Sequence, residues 1–294
     1  MEPKEGKKLD RSVLKALNPR ETLTAIDVAD VLDDFKVTFE EMEGNVKIKG
    51  KFKTSKEDWL KKLLSFSLLK IHFEVTIPHR YSVNLNTSND HIVIDGLIGG
   101  VKVQTSIGDL RIGDVKGNIW GRTSSSGNIT LKGCQGNVDV ETSIGDTDLG
   151  PVIGNVKAKT DSSGNITVTG CQGNADLTTS IGDINLCDVT GDVRANGGDI
   201  QIGNVGGEVI AQASSSGSVM LTDCRDNVDV KTSIGDVNLR NITGTVRASG
   251  GDIQISNVGG EVIAQASSNG SVMLTDCRDN VDVKASIGDI NLTR

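Results

Sequence analysis

The sequence has few aromatic residues, histidines and prolines, and those it has are concentrated near one end. Only Trp120 is aromatic after residue 86, all three histidines occur by residue 91, and three of the four prolines occur by residue 78. Residues 87–294 carry 25 acidic and 15 basic side chains. An acidic segment with a single aromatic side chain is poorly suited to neutralise phosphates or to stack on bases, so we expect no nucleic-acid binding.

The motifs that usually carry catalysis or cofactor binding are also absent. The sequence contains no CxxC pair, no P-loop, no clustered metal ligands and no Ser, His and Asp set after residue 91. We therefore expect no enzyme activity, no cofactor and no metal site. No apolar run reaches membrane-spanning length and no signal peptide begins the sequence, so the chain as written is expected to be soluble and unexported.

A pentapeptide repeats through the chain after residue 104. Thr-Ser-Ile-Gly-Asp begins at Thr105, Thr142, Thr179 and Thr232, and Ala-Ser-Ile-Gly-Asp begins at Ala285. Serine-rich phrases ending in Gly lie between these copies, and the two phrases together divide the chain into short units of similar length. The units begin at Thr87, Thr105, Thr123, Thr142, Thr160, Thr179, Asn196, Ala213, Thr232, Ser249, Ala266 and Ala285. Such self-similarity is typical of repeat proteins.

The last part of the chain carries a second, longer repetition. Residues 196–241 and 249–294 are identical at 39 of 46 positions, which indicates a tandem copy of three units.

Each unit contains two triplets in which an apolar residue, any residue and an apolar residue follow one another. Ile184-Asn-Leu186 and Val138-Asp-Val140 are examples, and Gly with Asn or Asp precedes them. This alternation predicts short half-buried strands separated by tight turns. Two such strands cannot bury a core alone, so we expect them to stack in parallel. The sequence predicts an all-β, right-handed parallel β-solenoid of about 11–12 rungs, roughly 55 Å long.

The composition predicts three segments. Residues 1–34 form an extension that is expected to be partly disordered, residues 35–86 a β-rich capping segment, and residues 87–294 the solenoid. Alternating residues in Phe35–Phe39 and Val46–Phe52 predict a hairpin. The stretch 56–69 is interpreted as an amphipathic helix or loop packed on that hairpin, and a membrane-surface or partner-docking element is the alternative.

The five cysteines are interpreted as structural thiols. Cys134, Cys171, Cys224 and Cys277 share one position of the unit, whereas Cys187 occupies another. Their rungs are two or three apart, or ~10 to ~15 Å, which is too far for a disulfide. Unpaired thiols favour a reducing compartment.

Two outward-facing columns of side chains are expected along the rod. The first is Lys102, Trp120, Asp139, Lys157, Asp176, Arg194, Ile210, Asp229, Arg247, Ile263 and Asp282. Its alternating charges are interpreted as structural, while the apolar Trp120, Ile210 and Ile263 are candidate contact residues. The second column is Arg111, Thr130, Asp148, Thr167, Asn185, Gln201, Met220, Asn238, Gln254 and Met273. It is nearly uncharged, and Met220 and Met273 are its candidate contacts with a protein or glycan.

Aspartate and asparagine recur at one corner of most units, which raises the question of calcium. The corner residues are Asp109, Asn128, Asp146, Asn165, Asp183, Asp199, Asp236, Asp252 and Asp289. The nonapeptide that binds calcium between rungs is absent, so we interpret these side chains as caps of backbone N–H groups.

The final rung has no cap in the sequence, because residues 290–294 read as an unfinished strand. A terminal rung exposes unpaired strand groups, so Ile290 and Leu292 are candidate residues for edge pairing and self-association.

The entry to the repeats resembles a known family. Ile71-His-Phe-Glu-Val-Thr-Ile-Pro78, then Tyr81-Ser-Val-Asn-Leu-Asn-Thr-Ser88 and the reiterated Gly-Asp-Ile and Gly-Asn-Ile turns, resemble the DUF4097 adhesin-like family over about residues 35–294. The resemblance implies a β-solenoid, often attached to the bacterial envelope, without an established catalytic site. The leading hypothesis is a non-catalytic interaction or structural module. A bactofilin-like scaffold that assembles through its edges is the runner-up, and a β-helical carbohydrate-active enzyme is a minor alternative.

Overall fold

The computed structural model describes residues 35–42, 45–52 and 77–293, apart from Ser215 and Ser268. The chain divides into two units, Met1–Pro78 and His79–Arg294, and each is described by itself. In the first unit, β1 (Phe35–Met42) pairs antiparallel with β2 (Asn45–Phe52), which confirms the predicted hairpin. The predicted extension 1–34 and the amphipathic stretch 56–69 lie outside the described residues. The capping role of residues 35–86 stays a prediction.

The second unit is a parallel β-solenoid, as the sequence predicts. Its strands are β3 (Val83–Asn86), β4 (Ile92–Ile98), β5 (Val101–Ile107), β6 (Leu110–Lys116), β7 (Ile119–Ser126), β8 (Ile129–Gln135), β9 (Val138–Ile144), β10 (Thr147–Leu149), β11 (Val152–Ile153), β12 (Val156–Ser163), β13 (Ile166–Val168), β14 (Ala175–Thr179), β15 (Ile184–Val189), β16 (Val193–Gly197), β17 (Ile200–Val205), β18 (Val209–Ala213), β19 (Val219–Cys224), β20 (Val228–Lys231), β21 (Val237–Ile242), β22 (Val246–Gly250), β23 (Ile253–Val258), β24 (Val262–Ala266), β25 (Val272–Cys277), β26 (Val281–Lys284) and β27 (Ile290–Thr293). The described residues contain no helix, and hence no helix that could cross a membrane.

These strands form two parallel sheets that share one core. Sheet 1 runs β3, β5, β7, β9, β12, β14, β16, β18, β20, β22, β24 and β26. Sheet 2 runs β4, β6, β8, β10, β13, β15, β17, β19, β21, β23, β25 and β27, with the short β11 paired to β8. One strand from each sheet makes a rung, which gives twelve rungs, numbered 1 to 12 from β3 and β4. At ~4.8 Å per rung the solenoid is roughly 55 Å long.

Alternation of inward and outward side chains fixes which residues form the core. In β18, Val209, Ala211 and Ala213 are buried while Ile210 and Gln212 face out. Most inward positions hold Val, Ile, Leu or Ala, and several of these side chains are completely inaccessible to solvent. A slip of one residue would exchange the two faces, so this pattern specifies the register strongly.

A column of threonines extends the core at the end of the sheet 1 strands. Thr105, Thr142, Thr179 and Thr232 are buried, and each hydroxyl donates to a backbone carbonyl of the preceding rung. The Thr142 hydroxyl lies 2.9 Å from the carbonyl oxygen of Gly127. These bonds satisfy polar groups that would be costly to bury alone.

The turn after each threonine brings glycine against the backbone of the rung below. Gly164 has a φ of +145°. A Cβ at this position would lie 2.0 Å from the Gly145 carbonyl oxygen, so only glycine fits.

The register differs from the predicted unit boundaries at two places. Asn196 pairs with Thr178, so Gly197 rather than Asn196 is the equivalent of Thr179, and the predicted boundary at Asn196 is wrong. The boundary predicted at Ser249 is wrong in the same way, because Ser249 pairs with Lys231 and Gly250 takes its place.

Some rungs are shorter than the others, and the missing residues come from the turn between the two sheets. The rung that contains Asn196 is an example. Sheet 1 advances from Thr178 to Asn196 here, whereas sheet 2 advances only from Ile184 to Ile200. The difference arises because Gly-Gly-Asp replaces Thr-Ser-Ile-Gly-Asp in this rung. The strands themselves keep their pairing, so the columns continue through the shortened turn.

Candidate interaction surfaces

Both predicted outward columns are present in the predicted order. On sheet 1, Lys102 pairs with Trp120, Trp120 with Asp139, and the column continues to Asp282. On sheet 2, Arg111 pairs with Thr130 and the column continues through Met273. The outward side chains of the two sheets lie on opposite sides of the shared core. The structure therefore separates Trp120, Ile210 and Ile263 from Met220 and Met273.

Trp120 is covered by its own neighbours. Its indole ring is half-buried, and Lys102 Nζ lies 5.0 Å from the ring centroid. Arg122 Cζ lies 5.3 Å from the same centroid, and the Arg122 guanidinium also forms an ion pair with Glu141. Two cations on one indole are a stabilising arrangement. Trp120 is thus less open to a partner than the sequence prediction of an exposed apolar group requires.

Ile210 and Ile263 occupy equivalent positions three rungs apart. Ile210 is exposed and Ile263 is half-buried, so the prediction of exposed groups holds for Ile210 and only partly for Ile263. Their separation along the rod is ~14 Å, and charged residues lie between them. They are single apolar side chains rather than a continuous patch.

Met220 lines a shallow depression on sheet 2. Both Met220 and Met273 are 47% exposed. The depression, of about 310 Å³, arises where Gly203 lacks a side chain between Cys187 and Thr222 in the same column. It is shallow and open, so it offers a contact for an apolar group but does not enclose one.

The charged column on sheet 1 is stacked as predicted but lacks close ion pairs. Asp139, Lys157, Asp176 and Arg194 lie at paired positions on successive rungs. Within the described ranges, no ion pair of 4.0 Å or less joins two of them. Close pairs instead link Lys132 to Asp114 at 3.3 Å and Arg111 to Asp109 at 3.0 Å. Exposed pairs of this kind contribute less than about 1 kcal/mol each.

The aspartate and asparagine corner acts as a ladder of caps, as predicted. The Asp109 Oδ1 atom accepts the Asn128 backbone N–H, and Asn128 Oδ1 accepts the Asp146 N–H. The same bond recurs up to the Asp289 N–H, which Ser271 Oγ accepts. Across the described part of the chain, no three metal-ligating side chains converge. This corner therefore uses its carboxylates to hold the backbone of the next rung.

Three of the five thiols lie in the core, which supports the interpretation of these three as structural. Cys134, Cys171 and Cys224 are buried and stand in a core column whose other members are Val, Ile and Leu. Burial raises the pKa of Cys134 to about 11. Cys187 alone is exposed, and its pKa is raised by partial burial first and by the charge of Asp188 second. No thiol here has the lowered pKa of a nucleophile.

The last described rung leaves one edge of each sheet without a partner. β26 pairs only with β24, and β27 pairs only with β25. Ile290 is 45% exposed and Leu292 62%. In each earlier rung the backbone N–H of the first residue of the sheet 2 strand donates to a backbone carbonyl of the next rung. The Val272 N–H, for example, donates to the Asp289 carbonyl. The N–H of Ile290 is the equivalent donor and faces away from β25.

Comparison with known families fits this geometry. A family model described as Toastrack DUF4097 matches residues 22–190, more than half of the chain. This chain belongs to the Toastrack DUF4097 family. No curated protein and no solved structure matches it significantly.

The Toastrack match ends inside the solenoid. Residue 190 follows β15, so the match covers rungs 1 to 6 and includes Trp120. Ile210, Ile263, Met220 and Met273 lie beyond it, in the rungs that contain the tandem copy. Of the candidate contacts, only Trp120 therefore belongs to the part that matches the Toastrack model.

Sequence reasoning overlooked one set of residues in this Toastrack solenoid. The isoleucine of every Thr-Ser-Ile-Gly-Asp or Ala-Ser-Ile-Gly-Asp copy faces solvent. The set is Ile107, Ile144, Ile181, Ile234 and Ile287, with exposures of 50, 50, 73, 69 and 76%. Strict alternation from Thr105 would place Ile107 inside, but the register shifts between these two residues and turns the isoleucine out. The sequence signal that could have revealed these exposed isoleucines is their recurrence at the same turn in every copy of the pentapeptide.

Proposed function

We propose that this chain is a non-catalytic repeat module whose solenoid faces contact other molecules, as an adhesin-like interaction or structural element. One observation carries the proposal. Each described rung returns to the equivalent position without an inserted loop, as Ile92, Leu110 and Ile129 do, so side chains stack in unbroken columns. Enzymes built on β-helices form their clefts from such inserted loops, and the shallow depression near Met220 is a poor substitute.

The chemistry of the two faces supports different partners. Sheet 2 presents a nearly uncharged column with Gln201, Met220 and Asn238, which suits a protein or glycan surface. Sheet 1 presents alternating charges around Ile210. The excess of acidic side chains in residues 87–294 argues against nucleic acid.

Binding of the full chain to glycan and peptide arrays tests this function. Each face has its own variant, Met220→Ser with Met273→Ser for sheet 2 and Ile210→Ser with Ile263→Ser for sheet 1. We expect one double variant to lose a specific signal that the other keeps, at an unchanged melting temperature. Release of reducing ends from a bound polysaccharide by the wild-type chain would contradict the non-catalytic assignment.

A self-assembling scaffold is the second candidate, and it requires that β26 and β27, which each pair on one side among the described residues, pair with another copy. Pro at Ile290 or Leu292 removes N–H donors that face away from β25, whereas Pro at Asn291 removes a donor directed at β25. If edges mediate assembly, Ile290→Pro abolishes it while the rod stays folded. Assembly that survives both Ile290→Pro and Leu292→Pro would eliminate this candidate.

A further inference from the structure

One side chain of the repeated pentapeptide, the isoleucine, lies mostly in solvent. Thr179 donates to the Gly164 carbonyl, Ser180 donates to the Asp161 carbonyl, and Asp183 accepts the Asp199 N–H. A Cβ on Gly182 would lie 1.9 Å from the Gly164 carbonyl oxygen, so glycine is needed there. Ile181 makes no such contribution and is 73% exposed. An apolar side chain kept in solvent at a repeated position suggests contact with a partner.

The exposed isoleucines of rungs 2, 4 and 6 form a regular series, called here the corner ladder: Ile107, Ile144 and Ile181. Serine occupies the rung between successive members, since Ser126 pairs with Ile107 and Ser163 pairs with Ile144. The isoleucines therefore recur every two rungs, or ~9.6 Å. Beyond Ile181 the spacing changes to three rungs, because Ile234 is next.

Carboxylates accompany the corner ladder with the same period. Asp109, Asp146 and Asp183 each follow an isoleucine by two residues, and asparagine occupies the rungs between them. The Oδ1 atoms of Asp146 and Asp183 accept backbone N–H groups at 2.8 and 3.0 Å, which fixes the orientation of both carboxylates. Their Oδ2 atoms have no hydrogen-bond or ion-pair partner among the described residues. Asp109 is already paired with Arg111.

The ~9.6 Å spacing of the isoleucines decides which backbone conformation a bound peptide needs in order to contact all of them. A polyproline II helix places every third side chain on one face and rises ~3.1 Å per residue, or ~9.3 Å per repeat. A strand alternates faces every residue, so its third residue points away. An α-helix repeats one face after seven residues, or ~10.5 Å. Its mismatch to the ~9.6 Å isoleucine spacing is about three times that of polyproline II in each repeat.

We propose that the corner ladder binds an extended segment of another protein that is cationic, adopts the polyproline II conformation and carries an apolar side chain at every third residue. The apolar side chains lie between the isoleucines over Ser126 and Ser163, and the basic side chains reach Asp146 and Asp183. A second copy of the chain fits less well, because the acidic excess of residues 87–294 opposes side-by-side packing of two rods. This inference rests on the proposed function of an interaction module.

Three synthetic peptides titrated into the full chain test the inference by fluorescence anisotropy. The probe is a labelled (Leu-Pro-Lys)5 peptide, and the controls are (Ser-Pro-Lys)5, which lacks the apolar groups, and (Leu-Pro-Glu)5, which reverses the charge. We expect only the probe to bind, and its affinity to fall as salt is raised. Equal binding of (Ser-Pro-Lys)5 would overturn the inference, since any acidic surface attracts a polycation.

Matched variants locate the site. Ile144→Ser with Ile181→Ser extends the serines already present at Ser126 and Ser163, and should weaken the probe about tenfold for each isoleucine. Ile153→Ser is the control, because Ile153 is 51% exposed and lies off the ladder. Asp146→Asn with Asp183→Asn keeps the capping atoms, as Asn128 and Asn165 do, and should reduce the salt dependence.

Unchanged affinity in the isoleucine double variant would overturn the inference. A molar mass that doubles with concentration in the wild type, falls to the monomer value in the double variant and is accompanied by no peptide binding would assign the ladder to a second copy instead. An array signal that depends on Met220 but not on the ladder would leave the proposed function standing without this inference.

Discussion

Two buried threonines in rung 4 should respond in opposite directions to the same substitution. Thr147 is 1% exposed and its hydroxyl has no hydrogen-bond partner, while Thr142 is fully buried and its hydroxyl donates to Gly127. Thr147 stands in an inward column between Ile129 and Ile166. Valine has nearly the shape of threonine without the hydroxyl, so Thr147→Val removes only an unsatisfied polar group.

The magnitude follows from the cost of burying a hydroxyl without a partner. That cost is about 1–3 kcal/mol, so Thr147→Val should stabilise the solenoid by about 1–2 kcal/mol. Thr142→Val removes the hydrogen bond from Thr142 to the Gly127 carbonyl and the one that the Thr123 hydroxyl donates to Thr142, so it should destabilise by about 1–2 kcal/mol. For a domain of this size, 1 kcal/mol corresponds to a melting-temperature shift of about 2–4 °C.

Calorimetry of the two variants and the wild type measures the shifts, and hydrogen exchange locates them. Repeat arrays do not always unfold in one step, so amide exchange at Thr147 and Leu149 provides a local reading of the same effect. A lower melting temperature for Thr147→Val, or shifts of equal sign in both variants, would refute this account of the two hydroxyls.

The remaining predictions concern glycine, cysteine and rod length. In urea titrations, Gly164→Ala should destabilise the protein by about 3 kcal/mol or more. Gly203→Ala, whose Cβ would lie 3.6 Å from Thr222 Oγ1, should change stability by less than about 1 kcal/mol. Equal effects of the two substitutions would contradict the close approach at Gly164. Because the pKa of Cys134 is raised from 9.0 to about 11, the unfolded thiol ionises first and stability should fall as pH rises from about 9 to about 11. Cys134→Val should reduce that fall, and an unchanged pH profile would argue against burial as its cause. Deletion of residues 197–249 joins Asn196 to Gly250, the register equivalent of Gly197, so the variant should fold with a rod shorter by three rungs, or ~14 Å. Aggregation of this variant would contradict the register.

The sequence predicted the solenoid and its columns because strand alternation leaves few choices. Once Val138 and Val140 are assigned inward, Asp139 must face out, and the same holds in every rung. The position of Cys134 in a core column follows for the same reason. Inward and outward positions could therefore be predicted residue by residue over most of the rod.

The turns were harder to predict, because alternation stops there. Matching Thr179 to Asn196 by their place in the sequence put the unit boundary one position too early, since Asn196 lies at an outward position and Gly197 at the inward one. The same break of alternation hid the corner ladder. Ile107 has the parity of a core residue after Thr105, and only the irregularity between them brings it to the surface.

For the candidate contact residues, the repeats predict the face on which a side chain lies but not how exposed it is. Columns predict which side chains share a face, and the shared faces of Ile210 with Ile263 and of Met220 with Met273 were predicted in this way. What covers a side chain depends on its neighbours' rotamers, as the cations beside Trp120 illustrate. The depression at Gly203 likewise depends on which residues happen to flank it on sheet 2.

Light scattering of the full chain over a hundredfold range of concentration, with negative-stain images of the same samples, shows whether single solenoids present their faces to other molecules. If they do, the molar mass stays near the 31.0 kDa of one chain at every concentration. A molar mass that rises with concentration, together with rods that lengthen in the images, would contradict it and place edge pairing through β26 and β27 first.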